Sequence, residues 1–343
     1  MAKKLTVIND IHLGVLRGAG TTPTTQMELR RRIMAEFKSL VDRTSGDLMI
    51  LGDLFDTNCV PMLDWFSAYQ TLWDWIDLHS SGHLYLVAGN HDVSKTSNVL
   101  SSFQLLSQVL RSDSAGRKKV TDISQPMDTR HGYVIPHLAN QDLFDDALRG
   151  IPNCQVLYLH CNYDNKFAAQ SDQSLNLSAE SADTLLAEGV GNIVIAHEHQ
   201  TKKVGRIWIP GNQVVSSVSD CLGATTKRYL EVEDGKVKFV PFKNVDEIFR
   251  TMDWKALVPS DMPFIRVEGS ATGEEAAEAV SAISRYRAES NALVITNAVK
   301  IAEGEEVQEA FAASLQDVKA FNVMEALREV LTPEEYTALE SLE

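Results

Sequence analysis

The residues best suited to chemistry in this sequence stand at the ends of short apolar runs. Asn90 and His91 follow the apolar stretch 83–88, which the sequence predicts to be a buried strand that ends in a turn. An asparagine carbonyl oxygen can bind a metal ion, and a neighbouring imidazole can carry a proton near neutral pH. An Asn-His turn is often only a turn, so the weight of this pattern rests on its repetition.

The same arrangement recurs at four other predicted strand ends. Asp10 and His12 follow the strand 5–8, and alternation along an extended segment places them on one side. Asp53 comes directly after Gly52 at the end of the strand 47–51. Two later strands end in histidines: His160, His197 and His199. Open α/β sheets bind their ligands at the carboxyl ends of strands, so five such ends indicate a functional set rather than core residues.

Apolar runs of helical period separate these strand ends. Helices are predicted over 25–43, 61–79, 101–110 and 181–188, and further strands over 155–159 and 192–196. A hairpin is predicted across Asp234 and Gly235, between the strands 227–233 and 236–242. The basic stretch 117–119 is expected to open another strand. This alternation of strands and helices predicts an α/β fold.

Composition limits the class of protein. The chain has 343 residues, 44% of them hydrophobic, which is enough for one large domain and a smaller one. No apolar run approaches the ~18 residues of a membrane span, and the first apolar stretch is too short for a signal peptide. The four cysteines show no CxxC spacing and are expected to be free thiols. We therefore expect a cytoplasmic protein without a membrane segment.

The net charge of −15 is unevenly distributed along the chain. From residue 246 to the end there are 20 acidic and 8 basic residues, a net charge of −12, whereas residues 1–245 carry only −3. A strongly acidic protein is a poor candidate for binding nucleic acid. That objection applies mainly to the last 98 residues.

The order of the strand-end motifs resembles that of the calcineurin-like metallophosphoesterases. The matching stretches are Asp10-Ile11-His12, Gly52-Asp53-Leu54-Phe55-Asp56, Gly89-Asn90-His91-Asp92, His160 and His197-Glu198-His199. The resemblance covers roughly residues 5–242, and Ala196 stands where the family usually has glycine. It implies a four-layer α/β/β/α metallophosphoesterase sandwich for residues 1–245.

The resemblance also implies a site for two divalent metal ions. Carried over residue by residue, Asp10, His12 and His199 hold the first ion, Asn90, His160 and His197 hold the second, and Asp53 bridges both. Mixed nitrogen and oxygen ligands without thiolate suit manganese, iron or zinc. We expect Mn²⁺, with Mg²⁺ as the alternative. His91 would protonate the leaving oxygen as a general acid, and Asp56 and Asp92 would orient the ligands or His91.

The motifs around Asp10 and Asp53, together with the C-terminal part, resemble the SbcD-type branch of DNA repair and phage recombination nuclease subunits. A small α+β capping domain that helps to position DNA is implied for residues 246–303, because the predicted strand 264–268, helix 274–287 and strand 292–296 resemble that domain of the branch. The acidic helical segment 304–343 resembles helices that dock on a coiled-coil ATPase of the SbcC type. A helical tail packed on its own domain fits this segment equally well.

These resemblances imply a metal-dependent DNA exonuclease or endonuclease, expected to be a homodimer in complex with the ATPase. The candidate DNA contacts are Arg17, Lys202 and Lys203. One alternative is another phosphodiesterase or phosphatase of the superfamily, acting on nucleotides or phosphoproteins. The other is a metal-binding scaffold without activity. Such scaffolds lack the general acid or several ligands, whereas His91 and all seven ligand positions are present here.

Overall fold

The structure is a computed structural model that describes residues 4–16, 22–94, 99–165 and 174–302. Its strands, numbered in chain order, are β1 Leu5–Ile8, β2 Asp47–Leu51, β3 Leu84–Val87, β4 Val120–Ile123, β5 Met127–Thr129, β6 Gly132–Ile135, β7 Val156–His160, β8 Asn162–Tyr163, β9 Asn176–Leu177, β10 Asn192–Ala196, β11 Lys202–Val204, β12 Ile207–Ile209, β13 Thr226–Glu233, β14 Lys236–Asn244, β15 Phe249–Asp253, β16 Phe264–Glu268, β17 Ser270–Thr272, β18 Val294–Asn297 and β19 Lys300–Ala302. Its α-helices are α1 Pro23–Asp42, α2 Met62–Leu78, α3 Ser102–Ser112, α4 Ser114–Lys119, α5 Gln141–Arg149, α6 Ala179–Ala187 and α7 Ala276–Glu289.

Two six-stranded sheets form the centre of the fold. The first sheet has the order β14-β13-β1-β2-β3-β4, and the second has the order β11-β12-β10-β7-β6-β5. In the first sheet β1 to β4 are parallel, and in the second β6, β7, β10 and β12 are parallel. Because parallel strands end on the same side, each sheet presents a row of carboxyl ends at one edge.

Four layers follow from strands that are apolar on both faces. Met49 and Leu51 of β2 point into a cluster between the two sheets, where Tyr158 of β7 also lies. Leu48 and Ile50 point the other way, towards a cluster that contains residues of α1, α2 and α3. On the far side of the second sheet, α5 and α6 complete a third cluster. The predicted α/β/β/α sandwich is therefore confirmed.

Most predicted elements appear within a few residues of their expected bounds. Helix α1 begins at Pro23 because the Thr22 side chain accepts a hydrogen bond from the Thr25 amide and caps the first turn. The prediction for the basic stretch 117–119 was wrong. These residues end α4 instead of opening β4, since the Arg117 amide donates to the Asp113 carbonyl at 2.9 Å in a helical bond. Within the described ranges, no helix combines the length and apolarity that a membrane crossing requires.

The described residues form two compact units. One comprises residues up to 252, together with 258–266 and 289–297, and it contains both six-stranded sheets. The other comprises 253–257, 267–288 and 298–302, with α7 and the parallel pair β17–β19. A three-stranded sheet has the order β15-β16-β18. The capping domain over 246–303 stays a prediction. Its last residue, 303, lies outside the described residues, as do Arg17 and the segment 304–343.

Candidate metal centre

The seven predicted metal ligands come together where the strands of the two sheets end. Strands β1, β2 and β3 bring the ligands of the first sheet, and β7 and β10 bring those of the second. In the described part of the chain, three groups of His and Asp side chains have ligand atoms within 4.8 Å of one another: Asp10, His12 and His199; Asp53, His160 and His197; and His12, Asp53 and His91. Asp53 belongs to two of these groups, so its carboxylate lies between them.

The first group brings two imidazole nitrogens unusually close. His12 Nε2 and His199 Nε2 are 3.1 Å apart. Oδ2 of Asp10 accepts a hydrogen bond from the His197 amide at 3.0 Å, while the buried Oδ1 has no hydrogen-bond partner. A buried carboxylate oxygen without a donor is costly. A divalent cation at this position would satisfy the three side chains together, so the donor set fits a metal ion.

The second group is built around His160. Its Nε2 lies 3.1 Å from Asn90 Oδ1 and 3.3 Å from Asp53 Oδ2. Its Nδ1 lies 3.1 Å from the Leu51 carbonyl oxygen. Because a carbonyl oxygen only accepts, Nδ1 carries the hydrogen and Nε2 is presented to the cluster, as in many histidine metal ligands.

Opposing effects set the proton affinities of these histidines. Burial alone would lower the pKa of His160, but the Asp53 carboxylate raises it to about 9. Burial lowers the pKa of His197 to about 4 and also lowers the pKa of His12. His197 and His12 are therefore neutral imidazoles at pH 7, the form that binds metals.

The backbone at the site is held in strained conformations. Six described non-glycine residues have a positive φ, and four of them are predicted ligands: Asp10 (49°), His12 (53°), Asp53 (51°) and His197 (93°). Each such residue costs on the order of 1–3 kcal/mol. Backbone hydrogen bonds between the loops help to hold them, since Asp10 N donates to Gly52 O and His12 N donates to Asp53 O, each at 3.1 Å. Strain concentrated on polar strand ends is typical of a functional site.

Two glycines make room for the ligands. A Cβ atom on Gly52 would lie 2.0 Å from His160 Nδ1, and one on Gly89 would lie 2.2 Å from Asp53 Oδ1. The alanine that departs from the family motif, Ala196, is buried in β10 and pairs in register with His160 of β7. The glycines are therefore required by close approach of the ligands, whereas position 196 tolerates a methyl group in this structure.

His91 stands beside both groups of ligands. Its amide donates to Asp53 Oδ1 at 2.9 Å, and its Nδ1 donates to the Asp56 carbonyl oxygen at 2.6 Å. Its ring centroid lies 5.0 Å from that of His12. Since Nδ1 is occupied by a carbonyl, Nε2 is the atom that can exchange a proton with a substrate.

Asp92 and Asp56 support this arrangement from behind. The buried Asp92 carboxylate accepts hydrogen bonds from the amides of Gly89 at 3.0 Å and Phe55 at 3.1 Å, which ties the loops after β3 and β2 together. Burial raises the pKa of Asp92 to about 7. Oδ1 of Asp56 lies 3.6 Å from His12 Nδ1.

Sequence reasoning missed Asp220, which orients the predicted ligand His199. Its Oδ1 accepts a hydrogen bond from His199 Nδ1 at 2.8 Å, and its Oδ2 accepts from the amides of Ser216 and Ser217 at 2.9 Å each. Although burial opposes it, the hydrogen bond from His199 holds the pKa of Asp220 well below its usual range. This hydrogen bond leaves His199 Nε2 directed towards His12. No strand-end motif marks Asp220, because it lies in a 3₁₀ turn, Ser219–Cys221.

Three further buried polar residues, Asn9, Gln213 and Lys227, were also missed. Asn9 Nδ2 donates to the Asp10 carboxylate, and Gln213 Nε2 donates to Asn9 Oδ1 at 3.1 Å. Lys227 is 1% exposed and its Nζ lies 3.4 Å from the His199 carbonyl oxygen. Gln213 and Lys227 contact residues that are 204 and 28 positions away in sequence, so only the folded chain reveals that they support the loops of the predicted ligands.

The structure separates the two candidate DNA contacts of β11. Neighbouring residues of a strand point to opposite faces. Lys202 Nζ lies 5.1 Å from the centroid of the Tyr163 ring, whereas Lys203 Nζ lies 3.7 Å from that of Trp208. Tyr163 lines a cavity beside His199, so Lys202 is the lysine on the side of the metal centre.

A sequence model of the family described as calcineurin-like phosphoesterase matches residues 3–250. Similar solved structures include a cold-active protein-tyrosine phosphatase of a psychrophilic Shewanella species, with 11% identity, a TM-score of 0.35 and coverage of 71% of this chain and 81% of that one. A dimetal phosphatase from Danio rerio has 9% identity, a TM-score of 0.35 and coverage of 71% and 99%. Nuclease MPE of Pseudomonas putida has 14% identity, a TM-score of 0.25 and coverage of 69% and 87%. No curated protein matches the chain significantly.

Proposed function

Since the chain belongs to the calcineurin-like phosphoesterase family, whose members hydrolyse phosphoester bonds with divalent metals, we propose that it is a metal-dependent nuclease that cleaves DNA phosphodiesters. One observation carries the proposal. The Asp53 carboxylate belongs to two groups of candidate ligand atoms, one with His160 and His197 and one with His12 and His91, and the His91 ring keeps one nitrogen available for proton transfer. A shared carboxylate suits two cations held close together, as in two-metal phosphoester hydrolysis, and a neighbouring imidazole can supply the proton for the leaving group.

The residues would divide into two metal sites that meet at Asp53. The first would use Asp10, His12, Asp53 and His199, and the second would use Asp53, Asn90, His160 and His197. Bound divalent ions polarise the phosphoryl group and make hydroxide available at neutral pH. The ligands are nitrogen and oxygen atoms without thiolate, and the set suits Mn²⁺.

The chain's own residues would contribute to the reaction in two ways. His91 Nε2 donates a proton to the leaving oxygen, while Nδ1 keeps its hydrogen bond to the Asp56 carbonyl and holds the ring in place. The Asp53 carboxylate lies between two groups of ligands that would each hold a cation, and its negative charge offsets their mutual repulsion.

The finer assignment is an SbcD-type nuclease subunit that works in DNA repair or recombination. The motifs around Asp10 and Asp53 support it, as does the α+β pattern after residue 246. The partner would be an SbcC-type ATPase, and this chain would form a homodimer within that complex. The net charge of −12 from residue 246 onward would repel DNA phosphates, so this part is better suited to a basic protein surface than to DNA.

The test is an Mn²⁺-supplemented assay on labelled duplex and single-stranded DNA, beside the activated small diester methyl 4-nitrophenyl phosphate. We expect hydrolysis of all three, and His91→Ala should retain both metals but lose at least ~100-fold of its activity on DNA. The loss should be smaller on the small diester, because 4-nitrophenolate leaves without a proton. His79→Ala is the matched control, since His79 follows α2 as its C-terminal cap and its side chain contacts the carbonyl oxygen and the ring of Trp75.

Two outcomes would contradict the proposal. Hydrolysis of the small diester without any cleavage of DNA would favour a phosphodiesterase or phosphatase with another substrate. Absence of hydrolysis from a protein with two bound metals would favour a scaffold without activity.

A further inference from the structure

A cavity of about 590 Å³ opens beside the metal centre. The residues that line it are Asn162, Tyr163, Asp164, Asn165, Glu198, His199 and Gln200. Volumes of this order are typical of pockets that enclose a small organic ligand. Because His199 is both a lining residue and a predicted metal ligand, a molecule in the cavity would be next to the reacting phosphate.

Tyr163 has a fixed position relative to the metal centre. The backbone amide of Tyr163 donates to Glu198 Oε1 at 2.6 Å, and Glu198 stands between the predicted ligands His197 and His199. Strand β8, which contains Tyr163, pairs with β9, and the ring packs partly against the apolar cluster under α5 and α6. The ring is therefore held by the same turn that carries two ligands.

The chemistry of the lining favours a base over a phosphate. An aromatic ring stacks on any nucleobase, and the side-chain amide of Gln200, whose Nε2 donates to the Ser219 carbonyl oxygen at 3.1 Å, adds a polar group to the lining. The carboxylates of Asp164 and Glu198 also line the cavity, and they would repel a phosphate placed inside it.

A cation suited to a phosphate lies at the ring. Lys202 is exposed on β11, and its Nζ lies 5.1 Å from the centroid of Tyr163. The flexible stem of a lysine lets its ammonium move from an aromatic face to a nearby phosphate. An aromatic face with an adjoining mobile cation matches one nucleotide unit, which has a planar base and an anionic phosphate.

We propose that this cavity is a nucleotide subsite in which Tyr163 stacks on the base next to the scissile phosphate and Lys202 binds the adjoining phosphate. The proposal rests on the proposed nuclease function and names the part of the substrate that the site recognises. Substrate recognition would then extend from the metal ions to the nucleoside itself.

The first experiment compares two diesters with the same leaving group, thymidine 5′-(4-nitrophenyl phosphate) and methyl 4-nitrophenyl phosphate, under Mn²⁺. Tyr163→Ala should raise KM for the nucleoside ester roughly tenfold, the usual worth of one stacked base, and leave the methyl ester unchanged. Tyr163→Phe should behave as the wild type, because the ring is kept. An equal rise in KM for both esters, or none for either, would overturn the stacking role.

The second experiment compares the two lysines of β11. Lys202→Gln should reduce the salt dependence of kcat/KM on single-stranded DNA, by roughly 0.7 in the slope of the double-logarithmic plot. Lys203→Gln removes the same charge from the opposite face, beside Trp208, and should leave the slope unchanged. Equal slopes for both variants would remove Lys202 from the subsite.

A third experiment needs no variant and separates this proposal from the nuclease proposal. Single-stranded DNA with one abasic residue should be cleaved by the wild-type chain with reduced kcat/KM next to the missing base. Uniform cleavage along the abasic strand would refute the subsite while leaving the nuclease intact. Discrimination between the two esters without cleavage of any DNA would refute the nuclease while leaving a nucleotide subsite.

Discussion

The substitution Gly52→Ala tests whether the second group of ligands depends on close approach between the two sheets. Gly52 follows β2 with a φ of +82°, and a Cβ atom there would lie 2.0 Å from Nδ1 of His160. Ordinary contacts of a Cβ atom are 3.4–4 Å, so the His160 ring or the backbone at Gly52 would have to move by more than 1 Å. His160 is fully buried and has no open space in which to relax.

Three contributions set the size of the effect. A left-handed conformation costs an alanine roughly 1–2 kcal/mol. Overpacking of a buried site costs about 1–3 kcal/mol, and loss of the hydrogen bond from His160 to Leu51 costs about 1 kcal/mol more. We therefore expect Gly52→Ala to lower the free energy of unfolding by about 3–6 kcal/mol. A ligand displaced by 1 Å should also lose the metal at the second site.

The matched control is Gly205→Ala. Gly205 also has a positive φ, +56°, but a Cβ atom there would meet nothing within 4 Å. It should therefore lose only the roughly 1–2 kcal/mol of backbone strain and retain both metals. Urea unfolding of the two variants, with metal analysis of each, makes the comparison. If Gly52→Ala unfolds like Gly205→Ala and still binds two metals, the close approach of His160 does not constrain this site.

Three further substitutions test the shared carboxylate, the orientation of a ligand and the junction between the sheets. Asp53→Asn should lose at least one metal ion and DNA hydrolysis, and two tightly bound ions in metal analysis would contradict the bridging role. Asp220→Asn keeps an acceptor for His199 Nδ1 but loses the negative charge, so calorimetry should show a metal affinity that is reduced roughly 10–100-fold. An unchanged metal affinity would mean that the contact is merely structural. Asp47 begins β2 and accepts hydrogen bonds from the Arg130 and His131 side chains, so Asp47→Asn should destabilise the chain by about 2 kcal/mol at pH 7. Burial would raise the pKa of Asp47, but these hydrogen bonds hold it below its ordinary value. The stability advantage of the wild type over Asp47→Asn should therefore be complete above about pH 5 and shrink as the pH falls further. A constant difference in stability down to pH 3 would contradict this prediction.

The motif residues could be found in the sequence because each follows an apolar strand at a fixed place. Asp10, Asp53 and His160 each come at or just after the end of such a run, and parallel strands bring their carboxyl ends to one edge. The basic stretch 117–119 was misassigned because a short helix bounded by a strand leaves no periodic signal of its own. Asp220 could not be found, since nothing in the residues around it indicates that its carboxylate meets His199.

The sequence by itself determined the alternation of strands and helices and the identity of the residues that gather at the strand ends. These properties follow from local periodicity and from residue type, which the chain carries in linear order. Only the tertiary structure decided which atom of each histidine faces the cluster, since that depends on partners such as the Leu51 carbonyl and Asp220. It also decided that Lys202 lies beside Tyr163 and Lys203 beside Trp208, because the face to which a side chain points is set by the register of β11 against β12. Contacts between residues far apart in sequence have no local signature, so their geometry exists only in the folded chain.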